Sequence, residues 1–192
     1  KHRAVNGDAR ARRPSGRPAM KVFGLAGYSG SGKTTLMVRL LPLLIAHGIK
    51  VSTIKHAHHQ FDVDQPGKDS FEHRAAGATE VMVSSATRWA LLHEHRGAPE
   101  AELSDLLERM SPVDLVLVEG FKRDRHDKLE IVRGDEATPS LCRTDPNVVA
   151  LASDRQWPEA ACPVLSLDDP QAIARFILQH CDLRQMPLAE DA

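Results

Sequence analysis

Cysteine is too sparse in this chain to build a fold. Its 192 residues hold three, Cys142, Cys162 and Cys181, widely spaced and odd in number. That excludes a disulfide framework and a four-thiolate zinc site, and it fits buried thiols in a reducing cytoplasm. Long apolar runs are missing as well. None approaches the roughly 20 residues needed to span a bilayer, and no segment has the form of a signal peptide, so no membrane partner is expected. There is no internal repeat. The balance that remains, 42% hydrophobic and 27% charged, suits one globular domain whose core needs no staples.

The net charge is only −1, but the charge is unevenly placed. Residues 1–19 carry Lys1, Arg3, Arg10, Arg12, Arg13 and Arg17 against one acid, Asp8. The remainder is acidic. A basic tail of this kind can touch nucleic acid, but Met20 directly precedes the first apolar run. Residues 1–19 therefore read as a disordered leader or a start-site artefact, and no nucleic-acid partner is assigned. Residues 20–182 read as the folded domain and 183–192 as a fraying tail.

Within the domain, KVFGLA (21–26) is a short strand, followed by a glycine-rich loop and a helix over 33–47 that Pro42 should bend or break. KVSTIK (50–55) is a second strand, and strand, helix and strand within about 35 residues make the parallel unit. A short helix spans 69–76. Residues 79–84 and 88–93, joined by Ser85-Ala86-Thr87, form an antiparallel hairpin. A helix covers 99–110, and VDLVLV (113–118) is apolar enough for a central strand covered on both faces. Strands at 128–132, 148–152 and 164–167 and a helix at 170–180 complete the domain. The expected fold is a P-loop NTPase-type three-layer α/β sandwich with a mostly parallel sheet and a hairpin insert.

The residues Gly27, Tyr28, Ser29, Gly30, Ser31, Gly32, Lys33 and Thr34 fit G-x-x-x-x-G-K-[ST] in full, with a strand before and a helix after. The glycines let successive N–H groups turn inward to phosphate oxygens, and the helix N-terminus adds its partial positive charge. Lys33 supplies a charge to the β- and γ-phosphates, the Thr34 hydroxyl suits Mg²⁺, and Thr35 is placed for the α-phosphate. Glu119, ending the apolar strand, is the expected metal-holding acid, whereas Asp114 sits at the wrong end. Lys33 and Glu119 are thus the expected catalytic pair. Asp154, after a further apolar strand, stands where GTP-binding proteins place a guanine-reading carboxylate.

The run IKHAHHQFDVDQPGKDS (54–70) leaves the carboxyl end of the second strand, on the same rim. Asp62 and Asp64 are expected to join Thr34 and Glu119 at the metal, while His56, His58, His59, Lys68 and Asp69 serve the phosphate or cofactor end. Neighbouring His58 and His59 point to opposite sides of an extended segment, so at most two imidazoles converge, too few for a tight zinc or nickel site. Trp89 reads as core or interface. No glutamine or arginine finger can be assigned, although Arg74, Lys122 and Arg123 are candidates, in place or from a second subunit.

Together, GYSGSGKTT, KHAHHQFDVDQPGKDS, Ala76-Gly77-Ala78, Arg88-Trp89-Ala90-Leu91, LVEGFK (117–122) and VVALASD (148–154) resemble the MobB family, the molybdopterin-guanine dinucleotide biosynthesis protein B proteins. The resemblance covers about residues 20–180 and leaves 1–19 without a counterpart. It implies a cytoplasmic homodimer that binds GTP and Mg²⁺ and hydrolyses GTP weakly. It also implies a role beside the molybdenum cofactor guanylyltransferase that joins GMP to molybdenum-bound molybdopterin, with molybdopterin or molybdopterin guanine dinucleotide as a bound ligand. Molybdenum-insertion proteins are further candidate partners. Three rival readings stand beside it: a nickel-insertion GTPase, a non-catalytic nucleotide-binding adaptor, and a small-molecule kinase.

Overall fold

The structure, a computed structural model, describes residues 20–57, 61–134 and 141–183. The expected leader (1–19), residues 184–192 of the expected tail, and His58 and His59 lie outside them. In chain order the elements are β1 (Lys21–Ala26), α1 (Lys33–Ile45), β2 (Val51–Lys55), α2 (Asp69–Ala75), β3 (Glu80–Ser84), β4 (Trp89–His93), α3 (Leu103–Arg109), β5 (Leu115–Glu119), β6 (Lys128–Val132), β7 (Val148–Ser153), β8 (Val164–Ser166) and α4 (Pro170–His180), with a short 3-10 turn at Leu141–Arg143.

Six strands form one parallel sheet in the order β2-β5-β1-β6-β7-β8, while β3 and β4 pair antiparallel as a separate sheet. Alternation along β5 shows why it is central. Leu115 and Leu117 enter the core made with α1 and α4, whereas Val116 and Val118 pack with Leu103 and Leu107 of α3 on the other face. All five β5 residues are buried. Asp114, just before it, accepts the Lys50 N–H at 2.7 Å and serves the fold, not the site.

Three helices, α1, α2 and α3, are shorter than the sequence suggested. Around α3, Glu102 and Asp105 form a reciprocal capping box, which sets its start after Pro99. Pro42 does not break α1, which runs on to Ile45. It comes in the last turn, and it and Val38, whose carbonyl loses its partner, lie on the exposed side where water can satisfy the group.

β5 and β6 flank β1, yet only residues 120–127 join them, fewer than a parallel crossover ordinarily needs. The stagger permits it. Glu119 pairs with Leu25 and Lys128 with Gly24, so the chain returns barely one residue along the sheet. It crosses the face of β1 where Gly24 has no side chain. A Cβ there would lie 2.5 Å from His126 Nε2.

Lys128 and Glu130 point into the interior of β6 and are fully buried. Lys128 Nζ donates to the carbonyls of Asp124 (2.8 Å) and Lys122 (3.4 Å) and pairs with Asp145 at 3.0 Å. Glu130 accepts the N–H groups of Leu141 and Cys142 at 2.7 and 2.8 Å. Each buried charge is therefore matched by fixed polar partners.

Candidate functional site

The phosphate loop is set by backbone conformation. Gly27, Gly30 and Gly32 have φ of 142°, 80° and 95°, values that L side chains rarely adopt, and they turn the chain from β1 into α1. Of the four α-helices among the described residues, α1 alone has neither a capping side chain nor an acid in its first turn. Its leading N–H groups thus have no side-chain cap and no acid from within the helix, the condition a phosphate group satisfies. Ser31 Oγ, buried in the same loop, has no hydrogen-bond partner among the described residues.

Lys33 Nζ reaches back over the loop to donate to Gly27 O (3.0 Å) and Tyr28 O (2.8 Å). Its pKa is lowered by burial, against an opposing pull from Glu119, with Lys122 and Lys55 lowering it further. That is a crowd of cations with one carboxylate among them, suited to a polyanion. The Thr34 hydroxyl donates to both Glu119 oxygens, at 2.9 and 3.1 Å. A hydroxyl and a carboxylate brought together at the mouth of a phosphate loop are the hard oxygen donors that Mg²⁺ prefers, so these residues fit the metal.

Lys55 Nζ stands 3.6 Å from Glu119 and 3.4 Å from Thr34. The sequence places it at the head of the 55–70 cluster but assigns it no role of its own. The signal was present: parallel β2 and β5 place Lys55 level with Glu119, so both strand ends deliver charge to one rim.

These groups open into a cleft of about 1260 Å³. Its wall takes in the loop, Lys33, Thr34, Thr35, Lys55, His56, Phe61, Glu119 and the 120–124 segment, with Glu100 and Glu102. Lys122 Nζ sits 5.6 Å over the Tyr28 ring. Gly120, with φ 97°, lets His56 approach, because a Cβ would lie 2.6 Å from His56 Cβ. Next to it Phe121 is held at φ 45°, and its ring lies 4.6 Å from the His56 imidazole.

Several expected members are placed elsewhere. Asp62 and Asp64 are not brought to Thr34 and Glu119. Both accept from Arg74 Nη2, at 3.0 and 2.7 Å, and Arg74 Nη1 pairs with Glu94 at 3.1 Å. The correction has a plain cause: a guanidinium on α2 offers these carboxylates a nearer cation. It also removes Arg74 as a free arginine finger, whereas Lys122 and Arg123 do face the cleft. Lys68 is the exposed residue before α2 and Asp69 its first residue, and neither lines the cleft. Asp154 is exposed just beyond β7 and also stands outside the cleft wall. No group of three or more His, Cys, Asp or Glu able to hold a metal ion occurs among the described residues. Likewise, no helix among them is long and apolar enough to cross a membrane.

Comparison with known proteins bears on the family and the fold. The family model for molybdopterin guanine dinucleotide synthesis protein B matches residues 22–154. The chain is 40% identical over 168 residues to the molybdopterin-guanine dinucleotide biosynthesis adapter protein of Escherichia coli (strain K12), covering 86% of this chain and 95% of that protein. It is 43% identical over 136 residues to the protein of the same name from Haemophilus influenzae, covering 69% and 74% respectively. Among solved structures, the X-ray crystal structure of a MobB protein homolog from Bacillus stearothermophilus matches with a TM-score of 0.67 at 30% identity, over 86% of this chain and 100% of that one. On this evidence, the chain belongs to the MobB family, molybdopterin guanine dinucleotide synthesis protein B.

Proposed function

We propose that this protein binds GTP with Mg²⁺ at the phosphate loop and acts as an accessory in making molybdopterin guanine dinucleotide, beside the guanylyltransferase that joins GMP to molybdenum-bound molybdopterin. The observation that carries the reading is the Thr34–Glu119 pair beside Lys33, in a chain whose relatives are named adapter proteins of that biosynthesis. The names support the process, and the loop supports the nucleotide.

In this reading Gly27–Thr35 hold the phosphates and Lys33 moves from its backbone acceptors to the terminal phosphate oxygens. Thr34 and Glu119 hold the metal, which when bound neutralises phosphate charge. Lys55 and Lys122 add fixed positive charge to the same end, stabilising charge that builds on the phosphates during hydrolysis. Work as a homodimer completes the proposal.

The test is GTP turnover by the purified protein, alone and with the guanylyltransferase, against Lys33→Ala. Lys33-dependent turnover that rises with the partner supports an accessory GTPase. Lys33-dependent binding with no turnover in either case favours the non-catalytic adaptor. Lack of GTP binding rejects both.

A further inference from the structure

We infer that Arg133 is a further nucleotide-binding residue, which reaches past Gly32 to the phosphate nearest the nucleoside, the α-phosphate, and holds it from the side opposite the metal. The inference deepens the proposed function and rests on it for the nucleotide.

Arg133 directly follows β6, and the end of that strand is pressed against the phosphate loop. A Cβ on Gly27 would lie 2.7 Å from the Ile131 carbonyl oxygen and 2.7 Å from Ser31 Oγ. The Ile131 side chain enters the core made with α1 and α4, and residues two apart on an extended chain share a face. Arg133 is thereby delivered to the start of α1. Its Nε and Nη2 stand 3.2 and 3.6 Å from the point that a Cβ on Gly32 would occupy. Gly32 precedes α1 and is part of the cleft wall. Arg133 borders that wall, and the bare glycine puts no side chain between its guanidinium and the loop.

The guanidinium is also unpaired. Arg133 is exposed, and among the described residues it makes no hydrogen bond or ion pair. Other cations of this chain are matched: Arg74 by three carboxylates, Lys128 by Asp145 and two carbonyls. A planar fork of donors left open beside uncapped helix N–H groups suits two oxygens of one phosphate.

Sheet order decides which phosphate. In β2-β5-β1-β6, Lys55 and Glu119 end the strands on one side of β1, and Arg133 follows the strand on the other. In phosphate-loop proteins the metal bridges β- and γ-oxygens, so the Thr34–Glu119 side is the β,γ end. The phosphate left for the β6 side is the α-phosphate. Hydrolysis removes only the γ-phosphate, so Arg133 grips GTP and GDP alike and governs retention of the nucleotide, not the distinction between the two.

The experiment is calorimetric titration of the full chain and of Arg133→Ala with GTP, GDP and ATP in Mg²⁺. Arg133→Ala should weaken GTP and GDP by the same factor, about ten- to a hundredfold, the scale of a lost charged hydrogen bond. The ratio of GTP to ATP affinity and the melting temperature should stay at the parent values. Phosphorus NMR of bound GDP should show the α-phosphorus resonance moved more than the β-phosphorus by the substitution. A loss at least tenfold larger for GTP than for GDP would place Arg133 at the γ end and overturn the inference. So would a changed ratio of GTP to ATP, which marks a base contact, or a larger shift at the β-phosphorus. GTP binding that depends on Lys33 but stays within about twofold of the parent in Arg133→Ala sinks only this inference. Absence of GTP binding by the parent sinks the proposed function, and this inference with it.

Discussion

Thr34 Oγ1 lies 2.9 Å from Glu119 Oε1, although 85 residues separate them in sequence. The contact joins the first turn of α1 to the end of β5, and it makes one donor set from two elements. Glu119→Gln keeps an oxygen for the hydroxyl and preserves packing, but removes the charge a divalent ion needs. Mg²⁺-dependent GTP affinity should fall roughly ten- to a hundredfold, the scale of a lost charged contact. Affinity in chelator should change little. Calorimetry with and without Mg²⁺ reads the difference, and an equal loss in both would reject a metal role.

Lys33 tests the nucleotide site without touching the core. Among the described residues its ammonium bonds only to backbone oxygens of its own loop. Lys33→Ala should therefore abolish measurable GTP binding while circular dichroism and the melting temperature stay at the parent values. Undiminished affinity would remove the site assignment.

His126 predicts how stability depends on pH. Both ring nitrogens are buried without hydrogen-bond partners among the described residues, and its pKa is lowered by burial first and by Lys128 next. A depressed folded value means the unfolded chain binds the proton more readily. The contribution to stability is then fully present above the ordinary histidine value of about 6.5 and is lost as pH falls below it toward the folded pKa. The melting temperature should drop between about pH 7 and 5, and His126→Leu should flatten that drop. An identical pH profile in the variant would show that His126 does not set it.

Lys128 is the buried charge most exposed to mutation. Lys128→Met leaves Asp145 and two carbonyls without their cation. Breaking one side of a buried ion pair costs about 3–5 kcal/mol, and urea unfolding should show a loss near the lower figure because Asp145 keeps some access to water. Conversion of the parent's single transition to two would instead mean that the 120–127 crossover melts on its own.

Why Lys128 escaped the sequence reading is instructive. KLEIV was legible as a strand and 113–118 as a central one, since an unbroken apolar run suits a strand covered on both faces, but the strand order was not. The P-loop, Glu119 and the hairpin were legible for the same reason: each is local, fixed by glycines, by a strand end or by a turn. What was not legible depends on partners far along the chain. Lys128 and Glu130 look like ordinary solvated charges until Asp145 and the 141–142 amides arrive. Asp62 and Asp64 look like metal ligands until Arg74 does. Charged residues two apart on a strand, with apolar residues between, were the one available hint that both charges share a covered face.

The hairpin carries the last prediction. Pairing sets Met82 opposite Leu91 and Ser84 opposite Trp89, so Met82, Leu91 and Trp89 share one face. Their exposures are 62%, 40% and 63%, whereas Val81 on the other face is buried. A two-stranded sheet alone is marginally stable in water, and among the described residues neither outer edge pairs with a further strand. A second copy of this chain would answer both needs, covering the apolar face and extending the ladder. Sedimentation should then show a species of twice the 21.1 kDa chain mass. Removing Trp89 and Leu91 together, as alanines, should weaken the dimer by about 3–6 kcal/mol, the burial energy of two large apolar side chains. The monomer should stay folded, since neither residue enters the cores around the main sheet. Tryptophan emission offers an independent check: Trp89 should move to shorter wavelength as the protein is concentrated, while in Trp89→Phe the remaining Trp157, tied to Ser153 by its Nε1–H, should not respond. A strict monomer at micromolar concentration, or a dimer indifferent to both alanines, would place the interface elsewhere or remove it.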